Sequence, residues 1–186
     1  MPNIVDYLKW RGDVSIAYSP FNEVDNLILN MVAMLDLNGI VPSDMNDDES
    51  ISIKDAANLF FNKTPVDEVY IGAIIPKESA EVFQLMASSV RFGNMKLSRY
   101  VNNIDEKEQK QFSAITFDVG DGSKYIAFRG TDDTLVGWKE NLNMSFLSCI
   151  PAQAEALDYL NSVACSSSAP LRIGGHSKGG TRVRCG

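Results

Sequence analysis

Near the C-terminal end of this 186-residue chain stands Gly175-His176-Ser177-Lys178-Gly179, directly preceded by Leu171-Arg172-Ile173-Gly174. A short apolar strand running into G-x-S-x-G constrains the fold severely, because the serine must then occupy a cramped strand-to-helix turn. Glycines at Gly175 and Gly179 keep Cβ atoms out of the crowded backbone. The hydroxyl is pushed clear of the sheet, and the backbone N–H of Lys178 can donate to a developing oxyanion. Ser166-Ser167-Ser168-Ala169-Pro170 bounds the strand upstream, and Leu171 to Gly174 is expected to be buried. Ser177 is thus the expected nucleophile and Lys178 an expected oxyanion-hole residue. A serine that merely caps a helix would use the same residue types, but the strand before it and a second site upstream favour the nucleophile.

The second site is Ala127-Phe128-Arg129-Gly130-Thr131-Asp132-Asp133, which follows another apolar strand. Acyl transfer needs a further donor from a loop beside the elbow. Arg-Gly-Thr at a strand end supplies a flexible backbone and the Thr131 hydroxyl, both able to aim at one oxygen. The competing reading is a plain strand-ending turn.

The rest of the chain divides into a helical part and an alternating part. Val24, Leu27, Ile28, Met31, Val32 and Leu35 form one apolar helix face. Asn22 is the expected N-cap, Asp25 belongs to the first turn, and Gly39 is the expected C-terminal stop. Ser52-Ile53-Lys54-Asp55 resembles a capping box opening a helix to about Asn62. Another helix is expected from Lys77 to Phe92, with Val82, Leu85, Met86 and Val90 inward and Gly93 closing it. After Asn94 come strands at Met95–Val101, Phe112–Val119 and Lys124–Phe128, the last two joined by a Gly120-Asp121-Gly122 hairpin. Thr134 is positioned to cap a helix from Leu135 to Asn143, and Pro151 to open one reaching Ala164. This order predicts a helical N-terminal region over residues 1–93 packed on an α/β layer structure over residues 94–186.

Composition narrows the function classes. The net charge of −7 argues against nucleic acid or an anionic membrane as the main partner. Three cysteines, Cys149, Cys165 and Cys185, lack metal-ligand spacing and suit reduced thiols, and no basic-then-apolar leader opens the chain, so the expected location is cytoplasmic. The apolar stretch from Leu27 to Leu37 is too short and too polar for an integral membrane span. Three decoys fall away. Gly174 to Thr181 echoes a phosphate loop but has Gly180 where its lysine belongs. Asp44 to Glu49 mimics a calcium loop but has Glu49 in place of the turn glycine. Arg11-Gly12-Asp13 is best taken as a turn. No cofactor and no metal site is expected.

The segment Tyr125 to Thr131, followed by Trp138 and Asn141-Leu142, resembles the F-R-G-[ST] stretch of the class 3 lipases. Together with Gly174 to Gly180, Asp6-Tyr7-Leu8-Lys9-Trp10-Arg11-Gly12-Asp13 and Pro20-Phe21-Asn22-Glu23-Val24-Asp25, it is similar to the bacterial Mbeg1-like family of α/β-hydrolase-like proteins. The resemblance implies an α/β-hydrolase-type three-layer sandwich, with Ser177 as nucleophile and Thr131 and the Lys178 amide as oxyanion hole. The implied activity is hydrolysis of a carboxylic ester or lipid through an acyl-enzyme. Such triads run Ser, Asp or Glu, then His, so acid and base are expected beyond Gly186, and Thr181 to Gly186 resembles a truncated or altered end. The one histidine, His176, is adjacent to the serine on a tight turn and is expected to shape the elbow rather than act as base. Little or no turnover is therefore expected of these 186 residues alone, together with self-association through an exposed sheet edge. The rival expectation is a non-catalytic hydrolase-like module that binds a protein or lipid.

Overall fold

The computed structural model describes residues 3–45, 49–65, 69, 78–105, 107, 110–130 and 150–184, the last four by backbone course alone. The helices are α1 (Ile4–Arg11), α2 (Glu23–Val32), α3 (Ile53–Lys63), α4 (Ser79–Ser88) and α5 (Pro151–Ser166), followed by a 3-10 helix (Ser177–Arg184). Five strands, β1 (Ile51–Ser52), β2 (Lys96–Asp105), β3 (Lys110–Asp118), β4 (Lys124–Phe128) and β5 (Leu171–Gly175), form one sheet in the order β1-β2-β3-β4-β5. The first three pairings are antiparallel, and β4 with β5 is parallel. The architecture is mixed α/β.

Side-chain alternation sends the residues of β3 and β4 to two cores. Ile115, Phe117, Tyr125 and Ala127 join the residues of α1 to α4 on one face. Phe112, Ala114, Ile126 and Phe128 meet Ala152, Ala156, Tyr159 and Val163 of α5 on the other. β3 is consequently buried along almost its whole length, as expected of a strand covered on both sides.

Local chemistry sets most element ends. The Asn22 side chain accepts the Val24 and Asp25 amide hydrogens, while Asp25 Oδ2 accepts from Asn22 N at 2.9 Å, a reciprocal cap. Ser52 caps α3 by accepting from Asp55 N at 3.0 Å. At the hairpin, Gly120 and Gly122 both adopt φ +83°.

Four expectations need correction. α2 ends at Val32, because Met34 N and Leu35 N bond three residues back and tighten the chain out of the helix. Gly39, at φ +68°, closes a separate turn. Leu27, on the expected buried face of α2, is 48 % exposed. The described part of α4 stops at Ser88, where the Ser88 and Ser89 hydroxyls donate back to the Leu85 and Met86 carbonyls and compete with helix continuation. Val90 then lies outside the helix and is exposed, whereas Phe83 and Phe92 are fully buried. β5 is not a buried strand: among the described residues it pairs on one side only, and Ile173 is 39 % exposed. The expected helix from Leu135 to Asn143 and residue Lys77 lie outside the described residues. Among the described residues no helix is long and apolar enough to cross a membrane.

Candidate active site at a strand-to-helix turn

β4 and β5 run parallel from Lys124↔Leu171 to Phe128↔Gly175, so both deliver their ends to the same edge of the sheet. That edge, beyond the carboxyl ends of parallel strands, is where open α/β sheets place ligands. From there His176 N donates to Phe128 O at 3.2 Å, which holds the turn against the end of β4. Ser177 follows with φ +53°, a left-handed backbone that an L-residue with a Cβ adopts only at a cost. It is the first residue of the 3-10 helix, and it is exposed. Gly179 N donates back to His176 O at 2.9 Å, completing a tight loop around the serine.

The glycines are there for space. A Cβ on Gly175 would strike Gly179, and one on Gly179 would strike the Phe128 carbonyl. Gly130 fixes the second segment beside the elbow. A Cβ at that position would lie 2.5 Å from His176 O and 3.2 Å from Ser177 Cβ. The loop leaving β4 therefore touches the serine's own residue. Thr131, the next residue, lies outside the described residues.

Lys178 is only 5 % exposed, and its Nζ donates to Gln111 Oε1 at 3.4 Å. Gln111, 1 % exposed on β3, donates from Nε2 to Gly130 O at 3.3 Å. One buried amide thus ties the residue after the serine to the loop after β4. Arg129, beside Gly130, is held by Asn102 Oδ1 at 2.7 Å and through its backbone N–H by Ser113 O at 3.0 Å. Sequence reasoning missed Gln111. No local signal marks it, because β3 also carries Lys110, Ser113, Thr116 and Asp118. His176 is half-buried, with its Nδ1 buried and unpartnered among the described residues. The ring borders an apolar cavity of about 350 Å³ shared with Ile4, Val5, Leu27 and Met31.

A second layer supports the elbow strand. Tyr125 on β4 receives a hydrogen bond from Asn30 Nδ2 at 2.8 Å and donates to Asn26 Oδ1. Burial pushes the Tyr125 phenol well above its ordinary pKa, so it stays a neutral donor. Phe21 packs on Tyr125 at 5.6 Å between ring centroids, and the Arg172 guanidinium of β5 lies 5.1 Å over the Phe21 ring. Asp25 pairs with Arg91, both side chains being fully buried. Arg91 also donates to the Val14, Ser19 and Pro20 carbonyls, and Tyr7 donates to Asp25 Oδ1 at 3.1 Å. Asp25 holds the Arg91 pKa above its usual value, against the opposing effect of burial. The two N-terminal motifs thus meet in one buried network under β4 and β5.

What the fold defines is a mixed α/β domain that presents a serine, in left-handed backbone, at the end of a parallel strand pair. The Mbeg1-like family model matches residues 86–183, more than half of the chain, and the protein belongs to the Mbeg1-like family. The N-terminal motifs at Asp6–Asp13 and Pro20–Asp25 precede the matched region. Searches of curated proteins and of solved structures found no match.

Proposed function

We propose that the protein is a serine hydrolase of the lipase or esterase kind, acting on a carboxylic ester through an acyl-enzyme on Ser177. The observation that carries this reading is the left-handed backbone of Ser177 at the exit of β5, with Gly130 packed against it. A structural cap needs no such strain, whereas a nucleophile that must stand clear of its neighbours does.

In the proposed reaction Ser177 Oγ attacks the ester carbonyl carbon. Its proton passes to a general base, and the carbonyl π electrons move onto oxygen. The Lys178 amide and the Thr131 region stabilise that oxyanion. Collapse expels the alcohol, which takes the proton from the base, and water repeats the sequence to release the acid. The 186 residues contain one histidine. His176 borders the apolar cavity beside α1 and α2, and as the residue before the nucleophile it is a poor general base. Without a base, turnover by these residues alone falls by roughly 10⁴- to 10⁶-fold.

A fluorophosphonate probe tests the reading on the full-length protein. Labelling that disappears in Ser177→Ala supports a serine hydrolase. A folded full-length protein that resists labelling rejects it in favour of a binding module that retains the elbow as architecture.

A further inference from the structure

A cluster of cations lies at the end of the sheet opposite the elbow, on the α5 face. A cavity of about 330 Å³ there is bordered by Lys96, Arg99 and Lys124, with Asp118, Ser98 and Thr116. Strand register explains the grouping. Lys96 pairs with Asp118 and Asp118 with Lys124, so three neighbouring strands set their charges in one row. Alternation places Ser98 and Thr116, themselves paired, two residues along on the same face. Between Ser98 and Val101 the β2 register slips, and Arg99 takes φ +53° while remaining 2 % exposed. A bulge that re-aims a charged side chain in this way is a common device at sites.

The charges do not cancel. Asp118 Oδ1 accepts from Gly120 N at 3.0 Å, which turns that oxygen toward the hairpin. Neither the Lys96 nor the Lys124 ammonium has a hydrogen-bond or ion-pair partner among the described residues. The two unpaired lysines against the one lining carboxylate leave a positive pocket on a chain whose net charge is −7. The C-terminal end of α5 opposes an anion through its dipole, but Arg99 Nη1 already faces that end, donating to Ser162 O at 3.5 Å.

We propose that this cavity binds the phosphate group of a small phosphomonoester. Two unpaired ammonium groups, a guanidinium and the Ser98 hydroxyl suit a dianion with several acceptor oxygens better than a single carboxylate, while the Thr116 hydroxyl is already donated to Tyr159. The volume lies at the lower end of the range for small-ligand pockets and exceeds what phosphate alone fills, leaving room for a short polar remainder such as a glycerol or sugar. Lys124 starts β4 and Phe128 ends it, so the cavity lies roughly 13 Å along the strand from the elbow. The ligand would therefore be an accessory one that leaves Ser177 accessible.

Titration calorimetry with inorganic phosphate and with glycerol 3-phosphate, at fixed ionic strength, tests this. Saturable binding is expected with Kd on the order of 1 mM or tighter. Lys96→Gln and Lys124→Gln should each weaken it roughly fivefold. Lys54→Gln on α3 should leave it unchanged. Equal affinity for both probes identifies free phosphate as sufficient, and tighter binding of glycerol 3-phosphate identifies the ester; either supports the site. Absence of saturable binding overturns the proposal, as does unchanged affinity in the Lys96→Gln/Lys124→Gln variant. Because both lysines lie at the rim, thermal melts of the double variant should match the parent and show that lost binding is not lost folding.

Discussion

If Ser177 sits in a true elbow, its replacements should rank in an order opposite to that of a helix. At φ +53° the clash comes from Cβ and the neighbouring carbonyl, so alanine carries the same penalty as serine, roughly 1–2 kcal/mol. Glycine escapes it but loses about 0.4–1 kcal/mol more through the entropy of its unfolded chain. Taking the midpoints of these ranges, Ser177→Gly should therefore be more stable than Ser177→Ala by about 0.8 kcal/mol. For a chain of this size that corresponds to roughly 1–4 °C in Tm. Both variants lack the hydroxyl, so its hydrogen bonds cancel from the comparison. Ser177→Val, which adds β-branching, should fall below both. Urea unfolding at a common m-value is the appropriate assay. In an ordinary helix glycine is about 1 kcal/mol worse than alanine. A Ser177→Gly midpoint at or below that of Ser177→Ala would refute the strained turn, and with it the nucleophile.

Three further outcomes follow from the surroundings of the elbow. Asp25→Asn leaves the buried Arg91 guanidinium without its counter-charge and should cost about 3–5 kcal/mol; an Asp25→Ala/Arg91→Ala cycle with coupling below about 1 kcal/mol would contradict a shared network. Gln111→Leu removes the link between Gly130 O and Lys178 Nζ. It should cost about 1–2 kcal/mol and slow fluorophosphonate labelling of the full-length protein roughly tenfold, with Gln111→Asn recovering part of the rate; unchanged labelling would reduce Gln111 to packing. At Asp121, burial works to raise the carboxyl pKa, but hydrogen bonds from Ser123 and the nearby Arg172 outweigh it and hold the pKa below its usual value. A depressed folded-state pKa contributes stability above the unfolded value of about 4, lost as pH falls through the folded value. The difference between parent and Asp121→Asn should be under about 1 kcal/mol at neutral pH, given the partial exposure of the pair, and should vanish in acid, as denaturation midpoints against pH will show.

Local chemistry made much of this fold legible. Asn22, Ser52, the paired hairpin glycines and Pro151 each act over a few residues, and the elements they delimit begin where those residues place them. What failed was non-local. Leu27 fits the apolar stripe of α2, yet it borders the cavity beside His176 and stays exposed while Ile28, Met31, Val32 and Leu35 of the same stripe are buried. Val90 continues the period of α4, but Arg91 must reach Asp25, some 66 residues away in sequence, and the helix ends first. The candidate site shows the same division. The motif pointed to Ser177 and Lys178 as candidates because a strand-to-helix turn is encoded within five residues. Gln111 was invisible because its two partners are 19 and 67 positions distant.

The N-terminal motifs acquire a mechanical reading from this arrangement. A residue held in left-handed backbone persists only when its surroundings over-determine it. Lys178 ties the 3-10 helix that begins at Ser177 to Gln111, but β5 has one strand neighbour among the described residues, so the strand that delivers the serine needs a further brace. The restraint comes through β4. Tyr125 is gripped by Asn26 and Asn30, and Phe21 is sandwiched between Tyr125 and Arg172 of β5. Asn22 and Asp25 fix the helix that carries both asparagines, and Arg91 anchors that helix to the chain before the sheet. Loosening this brace should let the elbow relax before the sheet unfolds. Asn30→Ala, which removes one of two partners of the Tyr125 hydroxyl, should therefore reduce Ser177 labelling at a denaturant concentration where the far-ultraviolet signal is still native. Parallel loss of labelling and secondary structure would show instead that the N-terminal helices contribute stability alone.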